Sequence, residues 1–304
     1  MGFSKKLKWT DEFLDKLRDY VLAGYTTMEI SDLFQEQDID ASVKAVETAR
    51  HRYNILNYCI EQDKEITIFK EETIPLDDYI ISCDYHAPYH SELWINRMLC
   101  IADRFNIRKH VIVGDLLDSD FAKYFYSDTK STLDREVRHT DPVFKALDYF
   151  EINYLLHGNH ENRINRITDG RVQARHLFHE YGKEVWDKKF KYSFYDKMNI
   201  GDNWMVVHPG SYSQIGGSVA TKLASKFEKN VLNAHGHFVA LRFGRSGKHM
   251  GIDLGGMFDK TKTEYINKKT TTHPFWNNGF AMLRNNHIYL FNDSTDWSYW
   301  LKEK

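Results

Sequence analysis

Five short apolar runs, each breaking off at polar residues, constrain this chain more than any other feature. They are YIISCD at 79–84, HVIVGD at 110–115, INYLLHGN at 152–159, WMVVHPG at 204–210 and VLNAHGH at 231–237. Runs of this length with little polar alternation suit strands covered on both faces. Helical stretches at 91–104 and 218–229 lie between them. Strands alternating with helices give an α/β sheet, in which functional side chains gather beyond the carboxyl ends of the strands. Nearer the C-terminus, GFAMLRNNHIYLFND at 279–293 reads as a hairpin turning at Asn285 and Asn286.

Before about residue 65 the apolar period is helical instead. Phe13, Leu14, Leu17, Tyr20 and Val21 share one face of a helix that starts after Thr10 and ends at Gly24. A second helix opens on the capping box Thr26-x-x-Glu29 and turns Ile30, Leu33 and Phe34 inward. A third begins near Ser42, with Val43, Val46, Ala49 and Tyr53 on its buried side. The three form a helix-turn-helix-like unit that resembles those of DNA-binding regulators. Lys44, Thr48, Arg50, His51 and Arg52 are expected on the open face of the third helix, where Lys44, Arg50 and Arg52 are candidate DNA contacts. Against this, residues 1–54 hold ten acidic side chains and eight basic ones, which equally suits a unit used for packing or protein contact. The expected division is a helical domain over 1–60, a linker over 61–76 and an α/β domain over 77–304.

With 304 residues, 42% of them hydrophobic and 14% aromatic, the chain can fill a large core, which excludes a disordered protein. A net charge of −2 gives no overall attraction to nucleic acid or anionic membrane, so any such contact must be local. Cys59, Cys83 and Cys100 are odd in number and form no C-x-x-C pair. They exclude a disulfide framework and a thiolate zinc site, and suit a reducing compartment. No signal-peptide core and no membrane-length apolar run is present, so a soluble cytoplasmic protein without a membrane partner is expected.

The strand ends supply Asp84-x-His86, then Gly114-Asp115 with Asp118, then Gly158-Asn159-His160-Glu161, then His208, then His235-x-His237. Each has a structural explanation when taken singly. Asp84 can cap a turn, Asn159 can take a left-handed position, and His208 can precede a Pro-Gly turn. Together they offer only oxygen and imidazole donors, a set that suits borderline to hard divalent cations and is large enough for two ions sharing a carboxylate. His235 and His237 are expected to face different ions, the intervening Gly236 permitting the bend.

The motifs DYH, GDLLD, GNHE, VVHPG and HGH resemble the pattern of the calcineurin-like metallophosphoesterases over roughly residues 77–295. One departure is Ala234, where the family's last motif begins with Gly. The resemblance implies a two-sheet α/β sandwich flanked by helices, here with the small all-α domain before it. It implies that Asp84, His86 and His237 hold one metal, that Asn159, His208 and His235 hold the other, and that Asp115 bridges them. It further implies His160 as the catalytic histidine, Asp118 as the carboxylate orienting it, and hydrolysis by a hydroxide bridging two divalent ions. Mn2+ is the first expectation for these ions, with Fe, Zn or Ni as alternatives. No covalent intermediate is needed, so Cys83 is read as a strand residue facing away from the site.

The substrate is less constrained, because the fold serves phosphatases, nucleotide phosphodiesterases and nucleases. Protein Ser/Thr phosphatases continue the second motif with Arg, where this chain has Ser119. Arg163 and Arg166 are candidate phosphate ligands on a helix starting at the centre, or else partners of carboxylates such as Glu161 and Asp169. GNHENR resembles phosphoesterases of bacterial viruses. The segment after the second motif reads as a helical insertion over the site, with Phe121, Tyr124, Phe125 and Tyr126 as core or as base-stacking surface, and Trp276 likewise. The preferred expectation is a nuclease or phosphodiesterase brought to DNA by its helical domain. The alternatives are a phosphatase or nucleotide phosphodiesterase for small molecules or proteins, and a regulator with a vestigial centre.

Overall fold

A computed structural model describes residues 9–53, 55, 70–123, 132–263 and 276–301. The chain divides into two compact units, residues 1–70 and 71–304.

In the first unit, α1 (Asp11–Leu22), α2 (Thr27–Gln35) and α3 (Val43–Arg52) each start at a hydroxyl cap. Thr10 accepts from Phe13 N, Ser42 accepts from Ala45 N, and the Thr26–Glu29 capping box is complete. Capping satisfies amides that have no partner within a helix. Leu14, Leu17, Val21, Ile30, Phe34, Val46 and Ala49 form the core. Val43 and Tyr53, expected inside, are exposed, because the short third helix turns only Val46 and Ala49 fully inward.

The second unit contains two six-stranded sheets. One runs in the order β12 (His287–Asn292), β11 (Gly279–Arg284), β2 (Tyr79–Ser82), β3 (Lys109–Ile112), β4 (Ile152–Leu155), β5 (Phe190–Tyr192). The other runs β1 (Thr73–Ile74), β6 (Lys197–Ile200), β7 (Trp204–Val207), β8 (Asn230–Asn233), β10 (Met250–Leu254), β9 (Val239–Phe243). Neighbours from β2 to β5 are parallel, as are β7, β8 and β10, so all five sequence-predicted strands end together at their carboxyl edges. The hairpin of β11 and β12 turns at Asn285 and Asn286, both with positive φ. β1 pairs with β6, so the expected linker gives up Thr73 and Ile74 to the sheet.

Strand alternation explains why the runs are apolar throughout. Ile81, Cys83, Val111, Val113, Val206 and Leu232 fill the space between the sheets. The intervening Ile80 and Ile112 face outward onto α4 (Glu92–Arg104), α5 (Leu133–Leu147) and α7 (Ala174–Lys189), where Trp94, Met98, Phe144 and Phe178 cover them. On the other sheet Met205, Val207 and Val231 are covered by α8 (Ser218–Phe227). Helices therefore flank both sheets, and the sandwich implied by the resemblance is the observed architecture. The insertion after the second motif is a different matter. Its helix α5 belongs to the outer core through Val143, Phe144 and Leu147 rather than covering the site, and Phe121 packs against the same core. Tyr124, Phe125 and Tyr126 lie outside the described residues. Among those residues no helix is long and apolar enough to cross a membrane.

Candidate metal centre

The loops after β2, β3, β4, β7 and β8 carry the polar residues, and their backbone is unusual. Asp84, His86, Asp115, His235 and His237 all have positive φ, between 47° and 69°. A non-glycine residue there costs about 1–3 kcal/mol and persists only where its surroundings impose it. Here they do. Asp84 N donates to Gly114 O, His86 N to Asp115 O, and His235 N to Asp84 Oδ2. The bend between His235 and His237 thus lies in the histidines themselves. Gly236 is not among the residues with positive φ, contrary to the expectation from sequence.

Glu161 stitches two of these loops. Its carboxyl accepts from the amides of Asp115 (3.0 Å), Leu117 (3.1 Å) and Gly158 (3.0 Å), which leaves it no role as an arginine partner. Burial, followed by the nearby Asp115 charge, pushes its acid up to about 8. Gly158 is required by the same contact: a Cβ there would stand 2.2 Å from Asp115 Oδ1 and 2.3 Å from Asp115 N.

Asp84, His86 and His237 form one cluster. His86 Nδ1 lies 3.1 Å from Asp118 Oδ1, an acceptor, so this nitrogen carries the proton and Nε2 presents its lone pair. That lone pair faces His237 Nε2 at 3.1 Å, and His237 Nε2 in turn lies 3.1 Å from Asp84 Oδ1. Burial opposes a charge on Asp84, but His237 outweighs it and holds the carboxyl at about 2.

Asp115, His208 and His235 form the second cluster. His208 Nδ1 donates to Val113 O at 2.8 Å, which turns Nε2 toward Asn159 Oδ1 at 3.0 Å and Asp115 Oδ2 at 3.3 Å. Asp115 Oδ2 is buried and makes no hydrogen bond among the described residues. Burial opposes charge on His208, yet Asp115 raises it to about 10. His235, lowered by burial and then by His208, falls to about 4 and keeps a neutral ring.

Both clusters thus bring carboxylate oxygens and imidazole nitrogens together around a point that a proton, as on His208, or a cation can hold. Donors bonded to one cation at about 2.1 Å stand roughly 3 Å apart, which is the spacing seen. The donor set of carboxylate, amide oxygen and imidazole fits two divalent ions, and Asp115 adjoins both clusters through His208 and through the backbone contact with His86.

Beside them His160 is buried, with Nδ1 3.0 Å from Asp118 Oδ1 and its amide bonded to Asp115 Oδ1 at 2.8 Å. Arg163, on α6 (Asn162–Ile167), places one guanidinium nitrogen 2.9 Å from His160 Nε2 and donates from another to Asp118 O at 2.5 Å. Lys123 Nζ approaches Asp118 Oδ2 at 3.3 Å and pairs with Asp120. Arg166 is exposed and, among the described residues, makes no hydrogen bond or ion pair with the centre. On α3, Lys44 and Arg52 are exposed, whereas Arg50 is half-buried and bonded to Thr27 Oγ1 at 2.8 Å.

Trp276 packs edge-on against His237 with centroids 4.4 Å apart and is buried, as is Cys83 in the core between the sheets. Reasoning from sequence missed Lys123 and the bridging role of Glu161. The first lies five residues past the motif with nothing local to mark it. The second depends on contacts about 45 residues apart.

Fold and donor set together define a class: an α/β sandwich whose strand ends carry two adjoining clusters suited to cations. No known family model matches the sequence, and no curated protein matches it. Solved structures are similar to it. One is Yfce, a phosphoesterase from E. coli, with 12% identity and a TM-score of 0.34 over 69% of this chain and 90% of that one. A dimetal phosphatase from Danio rerio has 11% identity and a TM-score of 0.36 over 72% and 96%. Pseudomonas putida nuclease MPE has 13% identity and a TM-score of 0.28 over 70% and 87%. These likenesses are remote, and the chemical reading rests on the side chains described above.

Proposed function

We propose that the chain is a dinuclear-metal phosphoester hydrolase whose substrates are phosphodiesters of DNA. The observation that carries this reading is the pair of carboxylate and imidazole clusters adjoining at Asp115, whose buried Oδ2 faces His208 Nε2 at 3.3 Å. Asp84, His86 and His237 would hold one ion, and Asn159, His208 and His235 the other. Two divalent cations supply Lewis acidity at the phosphoryl oxygens and an activated water at neutral pH.

The chain's own residues do the rest. Asp118 keeps the proton of His160 on Nδ1, so Nε2 is the nitrogen that exchanges protons with substrate. In the structure Arg163 donates to that nitrogen. An arriving phosphoryl oxygen competes for the guanidinium, and the released Nε2 can take a proton and deliver it to the leaving alkoxide. Ser119, standing where protein phosphatases carry Arg, supports a diester over a phosphoprotein. Exposed Lys44 and Arg52 on α3 support delivery to DNA by the helical unit.

The test is a substrate panel with Mn2+ on wild type, His160→Ala and Asp84→Ala. Cleavage of bis-p-nitrophenyl phosphate and DNA but little of the monoester is expected, with both variants impaired. A protein that hydrolyses none of these with Mn2+, Fe2+, Ni2+ or Zn2+ sinks the reading. Lys44→Ala with Arg52→Ala should weaken DNA cleavage and spare the small diester.

A further inference from the structure

Two aromatic rings stand in solvent on loops tied to the second cluster, and neither the core nor the proposed chemistry uses them. Phe194 is 54% exposed and Tyr212 is 44% exposed. Phe194 belongs to the segment that crosses from β5 to β6 at the ligand end of the sheets. Its neighbours fasten that segment to the site: Tyr195 O accepts from His157 N at 3.2 Å, and Asp196 O accepts from His208 N at 2.7 Å. Tyr212 follows His208 by four residues, and its ring lies edge-on to His235 with centroids 6.4 Å apart.

A lone exposed aromatic needs no explanation. These two differ in place and company. Both sit on loops attached to the residues of one cluster, His208 and His235. Phe194 also carries the Arg175 guanidinium over its face at 5.4 Å, while Tyr192 holds its edge at 5.1 Å. An exposed ring with a second aromatic packed on it, a cation above it and a backbone tie to a ligand-bearing loop has the make-up of a nucleobase platform.

We infer that Phe194 and Tyr212 stack bases of a single-stranded nucleic acid whose backbone enters the centre, Arg175 meeting a neighbouring phosphate. A duplex does not fit this role, because its base faces are already stacked on one another. The inference rests on the phosphoesterase reading for its chemistry, but binding can be measured without it. It places the base-stacking surface where β5 crosses to the second sheet.

The test uses the full chain in EDTA, with fluorescence anisotropy of a labelled oligothymidylate and of an abasic strand of equal length and charge. Wild type should bind the thymidylate roughly tenfold tighter than the abasic strand, and Phe194→Leu and Tyr212→Leu should each lose most of that preference. Abasic binding should not move, and Tyr299→Leu, an exposed ring on the C-terminal helix, should match wild type. Equal affinity of wild type for the two strands, or variants indistinguishable from it, overturns the inference. Adding Mn2+ separates the two claims. If base preference persists without cleavage, the hydrolase reading fails and stacking stands. If both strands are cleaved without base preference, stacking fails and the hydrolase stands.

Discussion

The Arg163 guanidinium lies 2.9 Å from Nε2 of His160, whose other ring nitrogen faces Asp118. Donor on one side and acceptor on the other leave the imidazole a single arrangement, proton on Nδ1 and lone pair on Nε2. Asp118 Oδ1 holds His86 in the same tautomer at 3.1 Å, so one oxygen aligns both a cluster residue and His160. Asp118→Asn removes the carboxylate that faces both rings and sets an amide NH2 toward Lys123. A fall in kcat of about 10²-fold or more is expected, with KM little changed. Steady-state kinetics on a small diester check this, and an unaltered kcat refutes the role.

Two glycines of the ligand loops, Gly158 and Gly236, should behave oppositely. Gly158→Ala sets a methyl 2.2 Å from Asp115 Oδ1 and 2.3 Å from its backbone nitrogen, atoms that cannot retreat without moving the Asp115 carboxylate. About 1–3 kcal/mol of stability should be lost, together with activity. Gly236→Ala, between the two histidines, meets nothing closer than 3.8 Å and needs no left-handed backbone. It should melt and turn over close to wild type. Strong inactivation by the second change would return the bend to the glycine.

That contrast shows where reading the sequence succeeds. The strands were legible because Ile80, Ile81, Val111 and Ile112 are apolar on both faces, and the donors because they stand at consecutive strand ends. Conformation within the loops was not. Glycine is the usual bearer of positive φ, but here it falls on His235, whose amide donates to Asp84, and on His237, whose carbonyl accepts from Asn277 N. Arg50 fits the open face of α3 by period, yet its guanidinium finds Thr27 on another helix. Phe194 gains meaning only from the crossing of β5 to β6, and these short strands, FKY and KMNI, carry almost no periodic signal.

Metal binding should appear in stability as well as rate. A ligand that binds only the folded state at about a hundred times its Kd adds roughly 3 kcal/mol. For a unit of this size that raises Tm by roughly 5–10 °C. Mn2+ should therefore raise the melting temperature over that in EDTA. Asp115→Asn, touching both clusters, should abolish most of the rise, and His235→Ala should remove only part. A melting temperature indifferent to Mn2+ would count against both clusters as cation sites.

His110 should make the fold sensitive to acid. It is fully buried, with Nδ1 2.8 Å from Asn153 Oδ1, Nε2 2.7 Å from Ser82 Oγ and its ring stacked on Phe150. Burial pushes it from 6.5 down to about 3, against a smaller upward pull from Asn153. The unfolded chain takes up a proton near pH 6.5 and the folded chain does not until about pH 3. The stability contribution is therefore whole above 6.5 and is lost as pH falls through that window. Between pH 6 and pH 5 the loss from this group should be about 1 kcal/mol. His110→Gln does not titrate, so its urea-unfolding free energy in EDTA should fall by that much less over the same interval. Equal slopes for the two proteins would mean that His110 is protonated alike in both states.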